Sequence, residues 1–411
     1  MRPSRRPSHA AATRLFLRTE ERGIRKLKVD FYRHDLGPEH ASLVANVLST
    51  AYLTSGTVGR EVEEKLCGYF GAKHAVLVNS WTNGAVAALL ALDIGPGDEV
   101  IVPAQTFIAT ANVAELIGAK PVFVDVDPIT LLMRPEDVRT ALTPRTRAVI
   151  PVHLYGQMVN IAALKAALSD RPDIAIIEDS AHCFEGEFGG SKPGRHSTCA
   201  IFSFYATKNV TCGEGGAIVT NDSSLYERLI QTRMHGMSAA AIDRFNLGGY
   251  QHWDMVRLGM KANLSDLLAS LLPGQIDKID EKLPRREELC SVYERAFANT
   301  PIRIPGGITN GKHARHIFVI HVPPQIRDQA IKILGDNGIG ITVNYRSVPT
   351  VTFYREKYGY TETSFPTSHY WGAGTITLPL YLSLSHEQQS HVINVVKNHI
   401  APLAERVVRE Q

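Results

Sequence analysis

The chain has 411 residues and a mass of 45.2 kDa, with 44% hydrophobic and 21% charged residues, which excludes a disordered chain and a disulfide-stapled miniprotein. Lys and Arg number 44 against 41 Asp and Glu, a net charge of +3. Residues 1–28 hold nine Lys/Arg and two Glu, so they carry +7 and the remaining chain carries −4. A mildly acidic body argues against nucleic-acid binding. No apolar run approaches the ~20 residues of a membrane span, so we expect no membrane partner.

The termini and the cysteines indicate a cellular compartment. Five cysteines, an odd number without a C-x-x-C pair, argue against a disulfide framework and a zinc site and favour the reducing cytoplasm. The apolar stretch 10–17 is interrupted by Arg14, so we expect no signal peptide. Residues 1–28 are predicted to form a flexible basic tail, with binding to an anionic surface as the alternative.

Short β-branched runs alternate with helical stretches from about residue 40, the pattern of βαβ units around a largely parallel sheet. The predicted strands span 75–79, 99–103, 121–125, 148–153, 175–179, 200–205 and 216–220. The predicted helices between them span 84–92, 109–117, 135–141 and 161–169. Seven strands between residues 75 and 220 indicate one large α/β domain.

Beyond residue 220 the strand signal fades. A long helical region is predicted, with breaks at 248–249 and at Pro273. The last third has a second, α+β pattern. Its predicted elements are a connecting helix over 277–299, strands over 316–322 and 341–345, and helices over 326–337 and 386–400. We therefore predict a tail (1–28), a large domain (29–276) and a small C-terminal domain (277–411).

Polar residues follow two of the predicted strands, at the edge of the sheet where α/β proteins bind ligands. Ser80-Trp81-Thr82-Asn83-Gly84 joins a strand to a helix, and hydroxyl and N–H groups there suit a phosphate, although a Ser at this place is also an ordinary N-cap. Asp179 ends the hydrophobic strand 175–179, and a carboxylate buried there needs a partner. That partner is a protonated ring nitrogen, a helix N-terminus or a metal.

Lys208 follows the strand 200–205 and precedes the turn Gly213-Glu214-Gly215-Gly216. We expect it in a dry cleft, where desolvation lowers the pKa of the amine and makes it a nucleophile. A phosphate site, an acid for a pyridine nitrogen and such an amine are what pyridoxal 5′-phosphate requires of a protein. The sequence has no G-x-x-x-x-G-K-[ST] and no G-x-G-x-x-G after its first strand, which argues against P-loop and nicotinamide enzymes.

At these residues the sequence resembles the DegT-type sugar aminotransferases, of pyridoxal-phosphate fold type I. The resemblance extends from about residue 29 to the C-terminus and rests on the order and spacing of short motifs. They include Leu53-Thr54-Ser55-Gly56, Thr106-Phe107-Ile108-Ala109-Thr110, His153-Leu154-Tyr155-Gly156-Gln157, Glu178-Asp179-Ser180-Ala181-His182 and Ser203-Phe204-Tyr205-Ala206-Thr207-Lys208-Asn209. It implies a large cofactor domain with a mostly parallel seven-stranded sheet and a smaller C-terminal α+β domain.

The resemblance also implies roles for residues around the cofactor ring. Lys208 would be the catalytic residue, forming a Schiff base with pyridoxal 5′-phosphate and then moving a proton between substrate and cofactor. Asp179 would pair with the ring nitrogen. Phe107 would stack on the ring, unless it is core packing, and His182 would lie beside it.

A second group of residues would bind the cofactor phosphate. The resemblance assigns this role to Ser203 and to the backbone N–H groups of Trp81 and Thr82. Asn263 matches an asparagine that reaches the phosphate of the neighbouring subunit. The expected active form is therefore a homodimer with composite sites.

The substrate is implied by a resemblance to the branch that aminates carbon 4 of UDP-linked sugars, carried by His235-Gly236-Met237-Ser238 and the segment 339–346. We expect L-glutamate as amino donor and a nucleotide-linked keto-sugar as acceptor. Thr54 and Arg346 are candidate substrate contacts, and Arg346 is equally compatible with a surface arginine. The alternatives are a keto-sugar acid or other keto-sugar without a nucleotide, and a non-catalytic, cofactor-binding regulatory protein.

Three positions depart from the family pattern. Trp81 stands where a glycine is usual, Asn83 replaces a smaller residue, and Ala262 stands where many members carry tyrosine. Trp81 either reshapes the substrate pocket or faces solvent or a dimer partner.

Overall fold

The computed structural model describes residues 27–238 and 252–410. The predicted tail, apart from its last two residues, and the predicted break at 248–249 lie outside the described residues. No helix in the described part of the chain is long and apolar enough to cross a membrane.

The first half of the chain forms a seven-stranded sheet. Its strands are runs of apolar, mostly buried residues, which is typical of a sheet that is covered on both faces. The strands are β1 (His74–Val78), β2 (Glu99–Pro103), β3 (Lys120–Val124), β4 (Thr146–Val149), β5 (Ala175–Asp179), β7 (Cys199–Ser203) and β8 (Gly216–Thr220), and the two-residue β6 (Glu187–Phe188) lies outside this sheet. Their order is β1-β8-β7-β5-β4-β2-β3, and β8 alone runs antiparallel to its neighbours. The mostly parallel seven-stranded sheet is confirmed.

Helices precede the sheet, connect its strands and follow it. They are α1 (Pro38–Leu48), α2 (Thr57–Phe70), α3 (Trp81–Ala91), α4 (Ala109–Leu116), α5 (Pro135–Ala141), α6 (Ile161–Ala167), α7 (Ser223–Thr232), α8 (Asp266–Ala269) and α9 (Pro273–Asp277). The long helical region predicted after residue 220 was wrong beyond α7: the described residues 233–238 and 252–265 form loops joined by isolated bridges, such as Met234 to Lys261. Pro273 begins α9 instead of breaking a helix, because proline fits the first helical turn.

The last third forms a second, smaller layer of helices and strands. Its elements are α10 (Ile279–Phe297), β9 (Gly311–Lys312), β10 (Phe318–His321), α11 (Arg327–Asp336), α12 (Thr352–Tyr358), α13 (Pro366–Gly374), β11 (Thr375–Leu378), α14 (His386–Val395) and α15 (Ala401–Glu410). β10 pairs antiparallel with β11, and β9 pairs with β6. A π-helical turn, Val396–Ile400, joins α14 to α15, so the predicted closing helix continues to residue 410.

The strand predicted over 341–345 was wrong. This segment makes only an isolated bridge, from Thr342 to Thr377. Two of its carbonyl groups accept hydrogen bonds from side chains of the large sheet region instead of a ladder: the Tyr155 hydroxyl donates to the Asn344 carbonyl (2.8 Å) and the Gln105 amide donates to the Tyr345 carbonyl (2.9 Å). The segment therefore crosses from the C-terminal core to the sheet.

The N-terminal segment joins the C-terminal core. Val29 forms a parallel bridge with Ile339 and is buried in the cluster built from α10, β10, β11, α11 and α14. The residues that follow, Phe31 and Tyr32, reach the carboxyl edge of the large sheet. One cavity consequently has walls from the large sheet, the C-terminal core and this N-terminal segment.

Candidate active site

A cavity of about 570 Å³ lies at the carboxyl ends of β5 and β7. Most of the sequence-predicted site residues line it: Trp81, Thr82, Phe107, Asp179, His182, Ser203 and Lys208. The opposite wall comes from the C-terminal part, with Thr342, Asn344 and Tyr345 among its residues. The sheet edge and the crossing segment therefore enclose one common space.

The first turn of α3 supplies backbone donors to the cavity. Ser80 is the N-cap of this helix, and its hydroxyl oxygen accepts the Asn83 N–H (3.1 Å). The N–H groups of Trp81 and Thr82, in the turn that follows, have no acceptor within the helix. Ser203, on β7, accepts the Tyr205 N–H (3.3 Å) and keeps its own proton to donate. Such donors at a helix N-terminus suit a phosphate.

Trp81 is buried, with 6% of its surface exposed, so it does not face solvent. It packs in the core of the large sheet region and also lines the cavity. Its indole N–H has no hydrogen-bond partner among the described residues. The tryptophan therefore shapes the wall of its own chain's cavity.

Asp179 ends β5 and is buried. Its Oδ2 accepts the Thr110 hydroxyl (2.8 Å) and its Oδ1 accepts the Ala181 N–H (3.2 Å). No helix begins just after it, which removes the helix-cap interpretation. Burial raises the pKa of this carboxyl, while its hydrogen bonds and the charge of Lys208 oppose the rise. A cation placed beside it would favour the ionised form.

Lys208 lies on the turn after β7 and reaches into the cavity. Burial lowers the pKa of its amine to about 8, and the charge of Asp179 partly opposes this shift. The turn is held in place because the Lys208 N–H donates to the Tyr205 carbonyl (2.9 Å) and the Tyr32 hydroxyl donates to the Ala206 carbonyl. A substantial fraction of the amine is neutral, and hence nucleophilic, near neutral pH.

His182 has a defined tautomer. Its Nδ1 accepts the Tyr155 N–H (3.2 Å), so a neutral ring carries its proton on Nε2, which lies 3.0 Å from the Tyr345 hydroxyl oxygen. Burial and the charge of Lys208 hold the pKa of His182 well below its usual range, so the ring is neutral. Because Tyr345 accepts from His182, its own hydroxyl proton is available to a ligand in the cavity.

Two of the motifs are joined by a buried hydrogen bond between a histidine and a carboxylate. His153 Nε2 lies 2.6 Å from Glu178 Oε2, and both side chains are buried. The other Glu178 oxygen accepts the Gly194 N–H (2.8 Å), and the His153 N–H donates to the Asp179 carbonyl (3.0 Å). These contacts join the motifs that begin at His153 and Glu178 at the end of β5.

Phe107 is not a core residue. Its side chain is 53% exposed at the cavity, with its ring centroid 5.6 Å from that of Tyr345. The sequence left two interpretations of Phe107, stacking on the cofactor ring and core packing. Its exposure excludes core packing.

Three predicted residues lie outside the lining of the cavity: Asn263, Thr54 and Arg346. Asn263 donates to the hydroxyls of Thr54 (3.1 Å) and Ser55 (2.7 Å) on the chain surface. Asp266 ties the same loops together by accepting the N–H groups of Gly56 and Gly59. Arg346 is exposed and makes no ion pair within the described residues.

Sequence reasoning assigned no role to several residues of the site. Thr110 was part of a quoted motif but was given no role of its own. It lies one helical turn from Thr106, and the two hydroxyl groups share a hydrogen bond (3.0 Å). His316, whose Nε2 lies 3.5 Å from Lys208 Nζ, comes from the last third of the chain. Tyr32 likewise comes from a distant segment, and no local pattern marks either residue.

Donors at a helix N-terminus, a buried carboxylate and an amine of lowered pKa in one cavity fit the phosphate, ring nitrogen and aldehyde of pyridoxal 5′-phosphate. Together with the mostly parallel seven-stranded sheet, they define a pyridoxal-phosphate enzyme of fold type I. A family model of DegT/DnrJ/EryC1/StrS aminotransferases matches residues 34–397. The chain belongs to this family and is a pyridoxal-phosphate-dependent sugar aminotransferase.

Solved structures agree with this assignment. Spr1654 from Streptococcus pneumoniae, described as a sugar aminotransferase in its PMP form, shares 28% identity with a TM-score of 0.85 and covers 92% of this chain and 100% of its own. DesV from S. venezuelae shares 31% identity, with a TM-score of 0.80 and coverage of 88% and 94%. The aminotransferase TlmJ from Streptoalloteichus hindustanus shares 26%, with a TM-score of 0.83 and coverage of 91% and 99%. The non-catalytic alternative is therefore set aside.

The pKa of Lys208 predicts how fast the cofactor-free protein captures pyridoxal phosphate. The capture rate should rise with pH up to about 8 and then level off, because the amine is then neutral. An ordinary lysine would continue to gain reactivity up to a pH of ~10.4. Stopped-flow absorbance measures the rate, and Lys208→Ala should abolish the signal. A rate that still climbs steeply above pH 9 would refute the lowered pKa.

Replacement of Asp179 tests its pairing with the ring nitrogen. Asp179→Asn should lower turnover by about a hundredfold or more, because the negative charge opposite the ring is lost. Occupancy of the cofactor, measured by absorbance after gel filtration, should fall far less. Asp127→Asn is the matched control, since Asp127 only accepts hydrogen bonds in a surface turn. Near-normal turnover of Asp179→Asn would mean that the carboxylate is structural.

Proposed function

We propose that this enzyme transfers the amino group of L-glutamate to carbon 4 of a nucleotide-linked keto-sugar, with a UDP-linked 4-keto-sugar as the favoured acceptor. The observation that carries the proposal is that the C-terminal part of the chain brings the polar residues Thr342, Asn344 and Tyr345 to the lining of the cavity that contains Lys208. Hydroxyl and amide groups of this kind suit the hydroxyls of a sugar. The segment that carries these residues is also part of the resemblance to the UDP-sugar branch.

Each residue of the cavity has a proposed task. When bound, pyridoxal phosphate supplies an electron sink for the carbon that carries the amino group. Lys208 would move a proton between that carbon and the bound cofactor, which its lowered pKa permits. Asp179 would pair with a positive ring nitrogen, while Trp81, Thr82 and Ser203 would hold the phosphate. Tyr345 donates its free hydroxyl proton to the substrate.

The charge balance of the cavity supports a contribution from a second chain. Lys208 is the cation in the described lining, which contains no arginine. The cofactor phosphate, the carboxylates of glutamate and the diphosphate of a nucleotide-sugar are all anionic, and anions in a partly dry site need several donors. Exposed Arg346, next to Tyr345, is the proposed contact of the diphosphate in the same chain, and Thr54 and Asn263 are proposed to come from the partner.

Exposed apolar side chains in the two segments that carry Thr54 and Asn263 support the homodimer. Tyr52 and Leu53 precede Thr54, and Val256 and Leu258 lie shortly before Asn263 in the chain. All four side chains are exposed in the single chain. Exposed apolar groups in neighbouring segments are typical of an interface. We propose that a second copy covers them and thereby brings Asn263 to the partner's cavity.

The proposed compartment is the cytoplasm. The cysteines are free, and four of them are buried: Cys183, Cys199, Cys212 and Cys290. Unpaired thiols are stable in a reducing environment, which supports this proposal.

An assay of acceptors tests the proposed reaction. With L-glutamate as donor, the enzyme should aminate a UDP-linked 4-keto-sugar, detected by mass spectrometry as a product that carries the glutamate nitrogen from a ¹⁵N label. Arg346→Ala should raise KM for this acceptor with little change in kcat, because uniform binding is lost. Turnover of a keto-sugar without the nucleotide, at equal or higher kcat/KM, would refute the nucleotide-linked acceptor and favour the alternative.

Subunit mixing tests the composite site. Asn263→Ala should weaken the binding of pyridoxal phosphate by ~1.5–3 kcal/mol, the worth of a charge-assisted hydrogen bond, and Lys208→Ala should be inactive. A mixed dimer has one site with both lesions and one intact site, so exchange of subunits should restore activity. Two differently tagged Lys208→Ala proteins are the control and should stay inactive. If activity does not recover although the subunits have been shown to exchange, Asn263 acts in the site of its own chain or has no role in the site.

A further inference from the structure

A series of hydrogen bonds leads from Lys208 through His316, which also lines the cavity, and Asn209 to Glu185. Lys208 Nζ lies 3.5 Å from His316 Nε2, and Nδ1 of the same ring lies 3.1 Å from Asn209 Oδ1. Asn209 Nδ2 lies 2.9 and 3.0 Å from the two carboxylate oxygens of Glu185 and 2.9 Å from the Ala314 carbonyl oxygen. His316 and Glu185 are buried.

The partners of Asn209 determine how its side-chain amide is oriented. A backbone carbonyl only accepts, so the NH₂ group must face Ala314 and Glu185, and the amide oxygen must face His316. His316 Nδ1 therefore carries the proton. Burial, with the nearby charge of Lys208, holds the pKa of His316 well below its usual range, so the ring is neutral and its Nε2 has a free lone pair.

We propose that His316 is a positioning residue for Lys208: its Nε2, kept as an acceptor by Asn209 and Glu185, takes an N–H of the lysine amine whenever that amine is not bonded to another group. The inference rests on the proposed role of Lys208 as nucleophile. When the amine has been released, holding it at one point keeps it aligned to form its bond again. Because Lys208 and Asn209 are adjacent, a single turn carries both the amine and the group that orients its acceptor.

The surrounding charges are compatible with this arrangement. The groups that act on the lysine and the imidazole are Asp179 on β5, His182 after it, and Arg286 on α10, while Glu185 contacts Asn209. Arg286 is buried and disfavours a second proton on His316. Burial raises the pKa of Glu185 to about 7, with Arg286 opposing the rise. Glu185 offers an acceptor oxygen in both protonation states, so the orientation of Asn209 persists through neutral pH.

Competitive acetylation tests the proposal without any turnover. The full-length protein, freed of cofactor, is treated with trace acetic anhydride between about pH 6 and 10, where only neutral amines react. Mass spectrometry gives the label on Lys208 relative to the exposed Lys397, and hence the titration midpoint of Lys208. An acceptor stabilises the ammonium more than the amine, since charged donors form the stronger hydrogen bonds.

The expected result is a lower midpoint when the acceptor is lost. His316→Leu should lower it by about one pH unit, the equivalent of one charge-assisted hydrogen bond. Asn209→Ala should also lower it, because the ring is then free to present a protonated nitrogen to the lysine. His316→Gln, which keeps an acceptor oxygen, should retain the wild-type midpoint. Asn160→Ala is the matched control, since Asn160 only caps α6 and should leave Lys208 unchanged.

An unchanged or raised midpoint in His316→Leu or Asn209→Ala, in protein with native near-ultraviolet circular dichroism, would overturn the proposal. An equal shift in His316→Gln would also overturn it, because a purely structural effect does not distinguish leucine from glutamine by hydrogen bonding. If His316→Leu does not fold, Asn209→Ala and His316→Gln decide the question. Failure to aminate keto-sugars, with the midpoints as expected, would count against the proposed function alone.

Discussion

The rest of the site depends on two opposite charges kept away from water at the ends of β5 and β7. Burial raises the pKa of Asp179 and lowers that of Lys208, and each charge partly opposes the shift of the other. β5 and β7 are paired in parallel, with Asp179 opposite Ile201, so backbone hydrogen bonds set the spacing of the two strand ends. The geometry that positions the acid and the amine is therefore the geometry of the sheet itself.

The parallel sheet could be predicted because its strands are continuous apolar runs separated by helical stretches. The predicted bounds of β2, β5, β8 and α5 agree with the structure. The smaller C-terminal elements were harder to predict. β11 was missed because it follows α13 directly: the helix ends at Gly374 and the strand begins at Thr375, with no loop residues between them. The segment 341–345 has the composition of a strand, but side chains from the sheet region take the carbonyl groups of Asn344 and Tyr345.

Local motifs were enough to predict the residues that β5, β7 and α3 bring to the cavity, since each lies within a few positions of a strand end. They were not enough for the groups that orient those residues. Lys208 has its acceptor in His316, and His182 has its partner in Tyr345. The turn that carries Lys208 is held by Tyr32, which is 174 residues from the carbonyl that it binds. Sequence spacing carries no information about such contacts, which depend on how the two cores meet. Asn263 and Thr54 are close together in space, but their contact with a cofactor or substrate stays a prediction.

The N-terminal segment has a consequence for the synthesis of the enzyme. Val29 pairs with Ile339, and Tyr32, three residues later, holds the turn that carries Lys208. A ribosome releases residue 29 long before residue 339, so this segment has no docking partner while most of the chain is being made. The part of the cavity wall formed by Thr342, Asn344 and Tyr345 is likewise made late, and a chain terminated before residue 342 would carry Lys208 without that part of the wall.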